Sequence, residues 1–520
     1  MTPRNLLALA GLTLAGGLLL SSTAPQAAPP SGHPLLVIGM DGGEWSVIED
    51  LWAQGKMPTF KRLADGGVRA PLKTKYGQSP VIWTTIATGH DPDVHGITGF
   101  VVATDDGDVP VSSDMRQVPA IWNITSDAGL VTDVIGWWGA WPAESVNGVN
   151  ISERCQQTEL PSCATPEAWN SKVHGALATA NSTHNKLFPG DDHFAPEDRV
   201  TTEFAPKLAG DGYDAMIMYL HGSDPNSHKY WRYYRPSDFP DDPPEAEELE
   251  KHKNRVTRAY QSIDTVVGRV LEAAPADTNV IIVSDHGFRP LDEIVVKVSW
   301  DLDALLIHWG YAVPSGSGVD VDKSKVYTYG SKTNEVRKRV KINGTPEEKA
   351  VIQKELFEKL ATVTYKNGKP ALGFGPAEGR DIERGADVAI WTQGTSPTKT
   401  LLVDGNEMNG VVKGWVENSG GHNGNPSGIF IAYGPDINKG AKVDGIRIHD
   451  VTPTALYGLG LPVASDTAGR AYIELYSPAF QAANPMKTIP TYGTRDSSSA
   501  TGTNEDDAVL DQLRMLGYIE

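Results

Sequence analysis

Four short segments of this chain carry the residue types that hold metal ions. Asp41-Gly42-Gly43 closes one apolar run, and Asp224-Pro225-Asn226-Ser227-His228 places a carboxylate and an imidazole four residues apart after another. Ser284-Asp285-His286-Gly287 sets an acid beside a histidine, and Gly420-Gly421-His422-Asn423-Gly424 flanks a histidine with glycine. Oxygen and nitrogen donors in such a set suit zinc, and gathered at one place they would serve metal-assisted hydrolysis. Each acid alone has a plainer explanation, because Asp is a common turn residue. Among the 13 histidines, His90, His95, His221, His252, His308 and His449 read as ordinary surface or core residues. His228, His286 and His422 stand apart because each has an acid or a glycine bend beside an expected strand. Ser79, followed by Pro80, opens a helix-like stretch running to Gly89. Its hydroxyl would meet the unpaired N–H groups of a helix start, which can bind a phosphoryl oxygen; an ordinary helix N-cap is the alternative.

The elements that must position these residues follow from periodicity. Leu35–Gly39, Ala215–Leu220 and Asn279–Ser284 are continuous apolar runs ending just before Asp41, Asp224 and Asp285, the pattern of strands buried on both faces of a parallel sheet. Met57–Ala64 and Lys253–Ala273 have helical spacing between them. Alternating strands and helices predict an α/β fold, a mostly parallel central sheet flanked by helices on both faces, and ligands in such sheets bind beyond the carboxyl ends of the strands. The stretch from Asp301 to about Gly410 lacks a long buried strand in this reading and is expected to be an insertion. Asp238–Lys253, acidic and rich in proline, is expected to be a surface loop, and Thr491–Asp506 a polar segment before a final helix near Ala508–Leu516.

The set of motifs resembles the alkaline phosphatase superfamily and, within it, the type I phosphodiesterase/nucleotide pyrophosphatase family. The resemblance rests on Asp41-Gly42, Met57-Pro58-Thr59-Phe60 with Leu63-Ala64, Ser79 nine residues before Thr88-Gly89, Pro92, His95-Gly96-Ile97, Asp224 with His228, Ser284-Asp285-His286-Gly287, and His422. It implies a phosphoester hydrolase with two divalent metal ions, zinc in the family. One ion would go to Asp224, His228 and His422; the other to Asp41, Asp285, His286 and the oxygen of Ser79, the nucleophile. It also implies a catalytic domain over 33–480, cap insertions near 101–210 and 301–410, and a tail over 481–520. Two departures bear on substrate. The nucleotide pyrophosphatases use threonine where this chain has Ser79, and the phosphate-binding Asn that follows the His-Gly-Ile motif falls at Phe100. Arg154 is a candidate replacement donor, an ion pair with Glu153 or Glu159 its alternative. Trp137, Trp138 and Trp141 either line a substrate wall or pack in the core. A phosphodiesterase, a phosphomonoesterase on the same metals and an inactive binding protein on the same fold all remain open. Sulfatases are disfavoured, because Ser79-Pro80-Val81-Ile82-Trp83 lacks their modification motif.

With 40% hydrophobic and 21% charged residues, the composition is that of a folded soluble protein. The first 28 residues read as a secretory signal peptide: Arg4, an apolar stretch from Leu6 to Leu20, then small residues, with cleavage expected near Ala27 or Ala28. The apolar stretch is shorter than the roughly 18 to 20 residues of a spanning helix, so an exported enzyme without a membrane span is expected. Only Cys155 and Cys163 are present, and in an oxidising compartment they can close a small loop. A net charge of −19 disfavours nucleic acid and anionic lipid as partners, yet is compatible with a small phosphorylated substrate if metal ions reverse the sign locally.

Overall fold

The computed structural model describes residues 29–497, apart from 105–106, 157–159, 161, 180–181, 189–195, 317, 330–336, 379, 384, 394–397 and 425, together with residues 506, 509, 510 and 513. The expected signal peptide lies outside the described residues, as does Glu159.

Eight strands form the central sheet: β1 (Leu35–Met40), β2 (Val68–Leu72), β3 (Thr132–Ile135), β4 (Asn150–Ile151), β5 (Ala164–Thr165), β6 (Ala215–Leu220), β7 (Asn279–Val283) and β8 (Gly428–Tyr433), in the order β2-β8-β7-β1-β6-β3-β4-β5. The run β7-β1-β6-β3-β4 is parallel, while β8 is antiparallel to β7 and β2, and β5 to β4. The apolar runs of β1, β6 and β7 exist because both faces are covered. Leu35 and Val37 of β1 join Ile217, Ile281 and Val283 under the helices Ser79–Thr88 and Val451–Gly458, whereas Leu36, Ile38 and Met40 join Met216, Met218 and Ile282 under Pro58–Gly66, Pro196–Asp211 and Arg255–Ala273. The expected α/β fold is therefore observed.

Three expectations are corrected. Strands β3 to β5 come from the 101–210 region and lie in the central sheet, so that region is only partly an insertion. The 301–410 region does contain strands. Val326–Tyr329, Arg337–Ile342, Val388–Thr392 and Leu372–Pro376 form, in that spatial order, an antiparallel sheet whose core holds Val326, Val340, Leu356, Leu360 and Val388. They escaped the sequence reading because Arg337-Lys338-Arg339-Val340-Lys341-Ile342 buries apolar side chains among cations. A two-stranded antiparallel arm, Arg289–Trp300 with Val412–Gly421, connects this lobe to the sheet. Nor is the chain beyond 480 merely a tail. Thr488–Ile489 pairs with Val463–Ala464, Arg495 forms an ion pair with Glu144, and Val509 and Leu513 pack on Phe100. Asp238–Lys253 holds a short helix, Ala246–His252, with no buried residue. Cys155 and Cys163 are joined by a disulfide, their Cα atoms 5.0 Å apart.

Candidate metal centre

Because β7, β1 and β6 are adjacent and parallel, their carboxyl ends share one edge; Asp41 follows β1 directly, Asp285 lies just past β7, and Asp224 opens the helix Ser223–Tyr234 that follows β6. Strand β8 runs the other way, so its beginning lies at the same edge, which is why His422 precedes its strand. The ends are laced together by side chains. The Ser284 hydroxyl accepts from the Gly43 N–H at 2.7 Å and donates to the His286 carbonyl at 2.7 Å. The Tyr260 hydroxyl accepts from the Glu44 N–H and donates to the Gly42 carbonyl, both at 3.1 Å.

All six expected ligands converge. Ligand atoms of Asp41, Asp285 and His286 lie within 4.8 Å of one another, as do those of Asp224, His286 and His422, so His286 belongs to both groups. Its Nε2 stands 3.5 Å from Asp41 Oδ1, 3.3 Å from Asp285 Oδ2 and 3.8 Å from Asp224 Oδ1. His228 Nε2 is 3.5 Å from Asp224 Oδ1, and the His422 ring stacks on His286 with centroids 3.9 Å apart. Two of the imidazoles have their tautomers fixed by backbone: His228 Nδ1–H donates to the Gly420 carbonyl and His286 Nδ1–H to the Gly287 carbonyl, each at 3.0 Å. The Nε2 lone pair of both rings is thereby aimed into the cluster, as metal-ligating histidines require.

The carboxylates are arranged the same way. Asp285 Oδ1 accepts from the Gly42 and His286 N–H groups at 3.2 and 3.0 Å, leaving Oδ2 buried without a hydrogen-bond partner. Asp41 Oδ2 accepts from Trp83 Nε1–H at 3.2 Å and from the Tyr219 hydroxyl, leaving Oδ1 buried and likewise without a partner. Burial, followed by the charge of Asp285, pushes the Asp41 carboxyl well up; burial pushes Asp285 up to about 6; burial, followed by the charge of Asp41, raises Asp224 strongly. Burial drives His286 and His422 down, so the rings stay neutral and able to ligate. Asp41 and Asp285, each buried with one unpartnered oxygen, stand beside neutral imidazoles in a donor set that a divalent cation satisfies, since its charge lets the acids ionise together. The residues present therefore fit metal binding.

Ser79 is buried at the start of the helix Ser79–Thr88, its hydroxyl near enough to Asp285 to lower that carboxyl. The cap reading is corrected here. Gln78 holds the N-cap position and Ser79 is the first helical residue. The expected ring of unpaired N–H groups is also absent: Pro80 has none, and those of Val81 and Ile82 donate to the Gln78 carbonyl.

The expected substrate residues stand differently. Arg154 is buried, its guanidinium 4.3 Å from the Trp141 ring centre, bonded to the Val111 carbonyl at 3.0 Å and paired with Asp506 at 3.3 Å and Glu153 at 3.8 Å. It is held as an internal ion pair rather than displayed as a phosphate donor. Phe100 is buried against Val509, Leu513 and Trp138. Trp137 packs in the core against Trp83 and Trp122, not along a wall. His95 is a satisfied core histidine, its Nδ1 accepting from the Ile97 N–H and its Nε2–H donating to Thr85.

Several residues at the site went unseen in the sequence. His221, grouped there with ordinary histidines, is buried with Nε2 3.8 Å from Asp224 Oδ2. Phe288 lies edge-on to His228 at 4.8 Å and close to His422 at 6.0 Å, giving the histidines an apolar floor. Tyr219 and Trp83 hold Asp41.

A parallel sheet with buried acids and histidines gathered at its strand ends is a donor set suited to divalent metal. The model of the family "Type I phosphodiesterase / nucleotide pyrophosphatase" matches residues 35–375, and the chain belongs to that family: it is an enzyme that hydrolyses phosphoester bonds. The match takes in every expected ligand except His422. No curated protein matches the chain in sequence. Among solved structures, the chain is similar to murine ectonucleotide pyrophosphatase/phosphodiesterase 5 (13% identity, 86% of this chain and 100% of that one, TM-score 0.42). It is also similar to phosphonoacetate hydrolase from Sinorhizobium meliloti 1021 in complex with phosphonoformate (14% identity, 82% and 96%, TM-score 0.42).

Proposed function

We propose that this enzyme is an exported phosphodiesterase working with two zinc ions and a seryl-phosphate intermediate on Ser79. Asp224, His228 and His422 would hold one ion, and Asp41, Asp285 and His286, with the Ser79 oxygen, the other. What supports the reading is the gathering of Asp41, Asp285 and His286, and of Asp224, His286 and His422, into two buried ligand groups that share His286, with Ser79 buried at the start of the helix whose Trp83 bonds Asp41. The ions would supply charge for the non-bridging phosphoryl oxygens and a lowered pKa for the nucleophile. Ser79 Oγ gives up its proton to water and attacks phosphorus, the bond to the leaving alkoxy oxygen breaks, and that oxygen takes a proton from water and departs as the alcohol. Water then cleaves the seryl phosphate, restoring the hydroxyl and releasing a phosphate monoester. With no N–H on Pro80 and those of Val81 and Ile82 bonded to the Gln78 carbonyl, positioning of the phosphoryl group would fall mainly to the metal centre.

Among the described residues no helix is long and apolar enough to cross a membrane. The Arg4-to-Ala28 pattern and the disulfide support export; mass measurement of the mature chain, expected to begin near residue 28, tests it.

A phosphomonoesterase is the second reading, favoured by one observation: Phe100 stands where the family has its Asn donor and is buried under Val509 and Leu513. Turnover of bis(4-nitrophenyl) phosphate against 4-nitrophenyl phosphate at equal zinc loading separates the two. Diester preference supports the proposal, and a large monoester preference overturns it in favour of the second.

A further inference from the structure

Asp41 is held differently from the other acids of the site, by two aromatic side chains from two different elements. Trp83 lies one turn beyond Ser79 on the same helix, and Tyr219 lies on β6, directly across from Gly39 of β1. Both side chains are buried, and their rings meet edge-on with centroids 5.0 Å apart. A carboxylate only accepts, so indole N–H and phenol O–H both donate to Oδ2. The other oxygen, Oδ1, faces His286 Nε2 at 3.5 Å.

Gly39 is what allows this approach. A Cβ there would stand 2.8 and 2.9 Å from two atoms of the Trp83 ring and 3.1 Å from the Tyr219 ring. Its place within an apolar strand, where glycine loses packing and conformational entropy, is explained by the room those rings need.

We propose that Trp83 and Tyr219 are positioning residues of the metal centre: by occupying Asp41 Oδ2 they leave a single oxygen for the ion, and through Trp83 they tie that ligand to the helix carrying Ser79. An unheld carboxylate can rotate or bind through both oxygens, shifting the ion relative to the nucleophile. With Oδ2 fixed from two directions, Asp41 would offer an ion Oδ1 alone. Because Trp83 and Ser79 are on one helix, any shift of Asp41 is transmitted to the nucleophile.

The inference rests on the metal-centre reading, and its test is zinc binding measured apart from turnover. The metal-free chain and its Tyr219→Phe and Trp83→Phe variants are titrated with zinc against a chromophoric chelator. Tyr219→Phe keeps the ring and removes only the donor. We expect one of two zinc sites to weaken by about 10- to 100-fold, the range for outer-shell partners, with the other unchanged. In the loaded enzyme kcat falls while KM changes little, because ground-state contacts to the substrate are untouched. Trp137→Phe alters the same aromatic cluster without touching Asp41, its ring 5.1 Å from that of Trp83, and should leave both affinities alone. Equal zinc affinities in wild type and Tyr219→Phe, or an equal loss in Trp137→Phe, would overturn the inference while leaving the metal centre standing. A wild-type chain that binds no zinc would overturn the metal-centre reading and this inference with it.

Discussion

Replacing Gly420 by alanine probes the contact that sets two of the histidines. Gly420 is in the returning strand of the arm, where it pairs with Pro290, and its carbonyl receives the Nδ1–H of His228 at 3.0 Å. The strand lies against the helix Ser223–Tyr234: the Ser419 hydroxyl accepts from the Arg232 N–H at 3.1 Å and donates to the Lys229 carbonyl at 3.3 Å. A Cβ on Gly420 would stand 2.3 Å from the Ser227 carbonyl oxygen and 3.0 Å from Trp231 Cβ, where ordinary contact begins at 3.4 Å. Strand and helix must therefore separate by about 1 Å, which lengthens the His228 bond to about 4 Å and breaks it. His422, just past the end of that strand and two residues from Gly420, moves with it. Loss of one backbone anchor on a ligating histidine weakens metal binding by about 10- to 100-fold, or about 1.4 to 2.7 kcal/mol. The overpacking itself costs about 1–3 kcal/mol of stability. Zinc titration against a competing chelator, with urea unfolding alongside, measures both. Gly175→Ala is the control: it sits in the helix Ala168–Leu177 with nothing within 4 Å of an added Cβ, so zinc binding should not change and stability should rise by about 0.5–1 kcal/mol. Full zinc affinity at both sites in Gly420→Ala would refute the claim that this contact positions His228 and His422.

Ser79→Ala should lower kcat by at least about a thousandfold while zinc content is unchanged; turnover near the wild-type rate would show that another group attacks. Removing metal with a chelator should abolish activity and lower thermal stability, by about 4 kcal/mol relative to metal at a thousand times its dissociation constant, and zinc should restore both. Asp133 gives a pH prediction away from the site. Burial raises its carboxyl from 3.8 to about 7, so the folded state holds its proton more tightly than the unfolded state. Stability from this group is thus full below pH 3.8 and lost as pH rises to about 7, by up to about 4 kcal/mol. Asp133→Asn, which can still accept from the Val149 N–H, should be more stable than wild type at pH 8, the gap closing toward pH 4; parallel pH dependence of the two proteins in urea unfolding would contradict this.

The strand-end acids were legible in the sequence because a strand buried on both faces writes a continuous apolar run, and the polar residue that ends it is conspicuous. His228 and His286 were legible by proximity to those acids. Other features were hidden by the same logic. Tyr219 lies inside Ala215–Leu220 and Trp83 inside Ser79–Thr88, where each reads as one more apolar residue; the hydroxyl and indole N–H that hold Asp41 matter only once β1, β6 and the helix are assembled. Ser79 read as a cap because serine and proline favour helix starts, yet Gln78 caps the helix through its backbone and leaves the serine side chain at the site. Arg154 was weighed against neighbours in sequence, Glu153 and Glu159, whereas its other acid partner, Asp506, is 352 residues away. No local pattern encodes such a pairing.

The arm explains how two proposed ligands so far apart in sequence occupy one place. His286 lies just before the outgoing strand and His422 just after the returning one, and between them runs a lobe with its own core. Closing a loop of that length would have an entropic cost, but the cost grows only with the logarithm of length, and the arm's ladder of pairs offsets it before the lobe begins. Arg289 pairs with Gly421 and Pro290 with Gly420, so the two chain ends leave the sheet side by side and the His286 and His422 rings are brought into stacking contact at 3.9 Å. On this geometry the size and sequence of the lobe are free to vary without moving His286 and His422, provided the root of the arm keeps its register. A one-residue shift at that root would carry His422 away from His286 and turn its side chain to the other face.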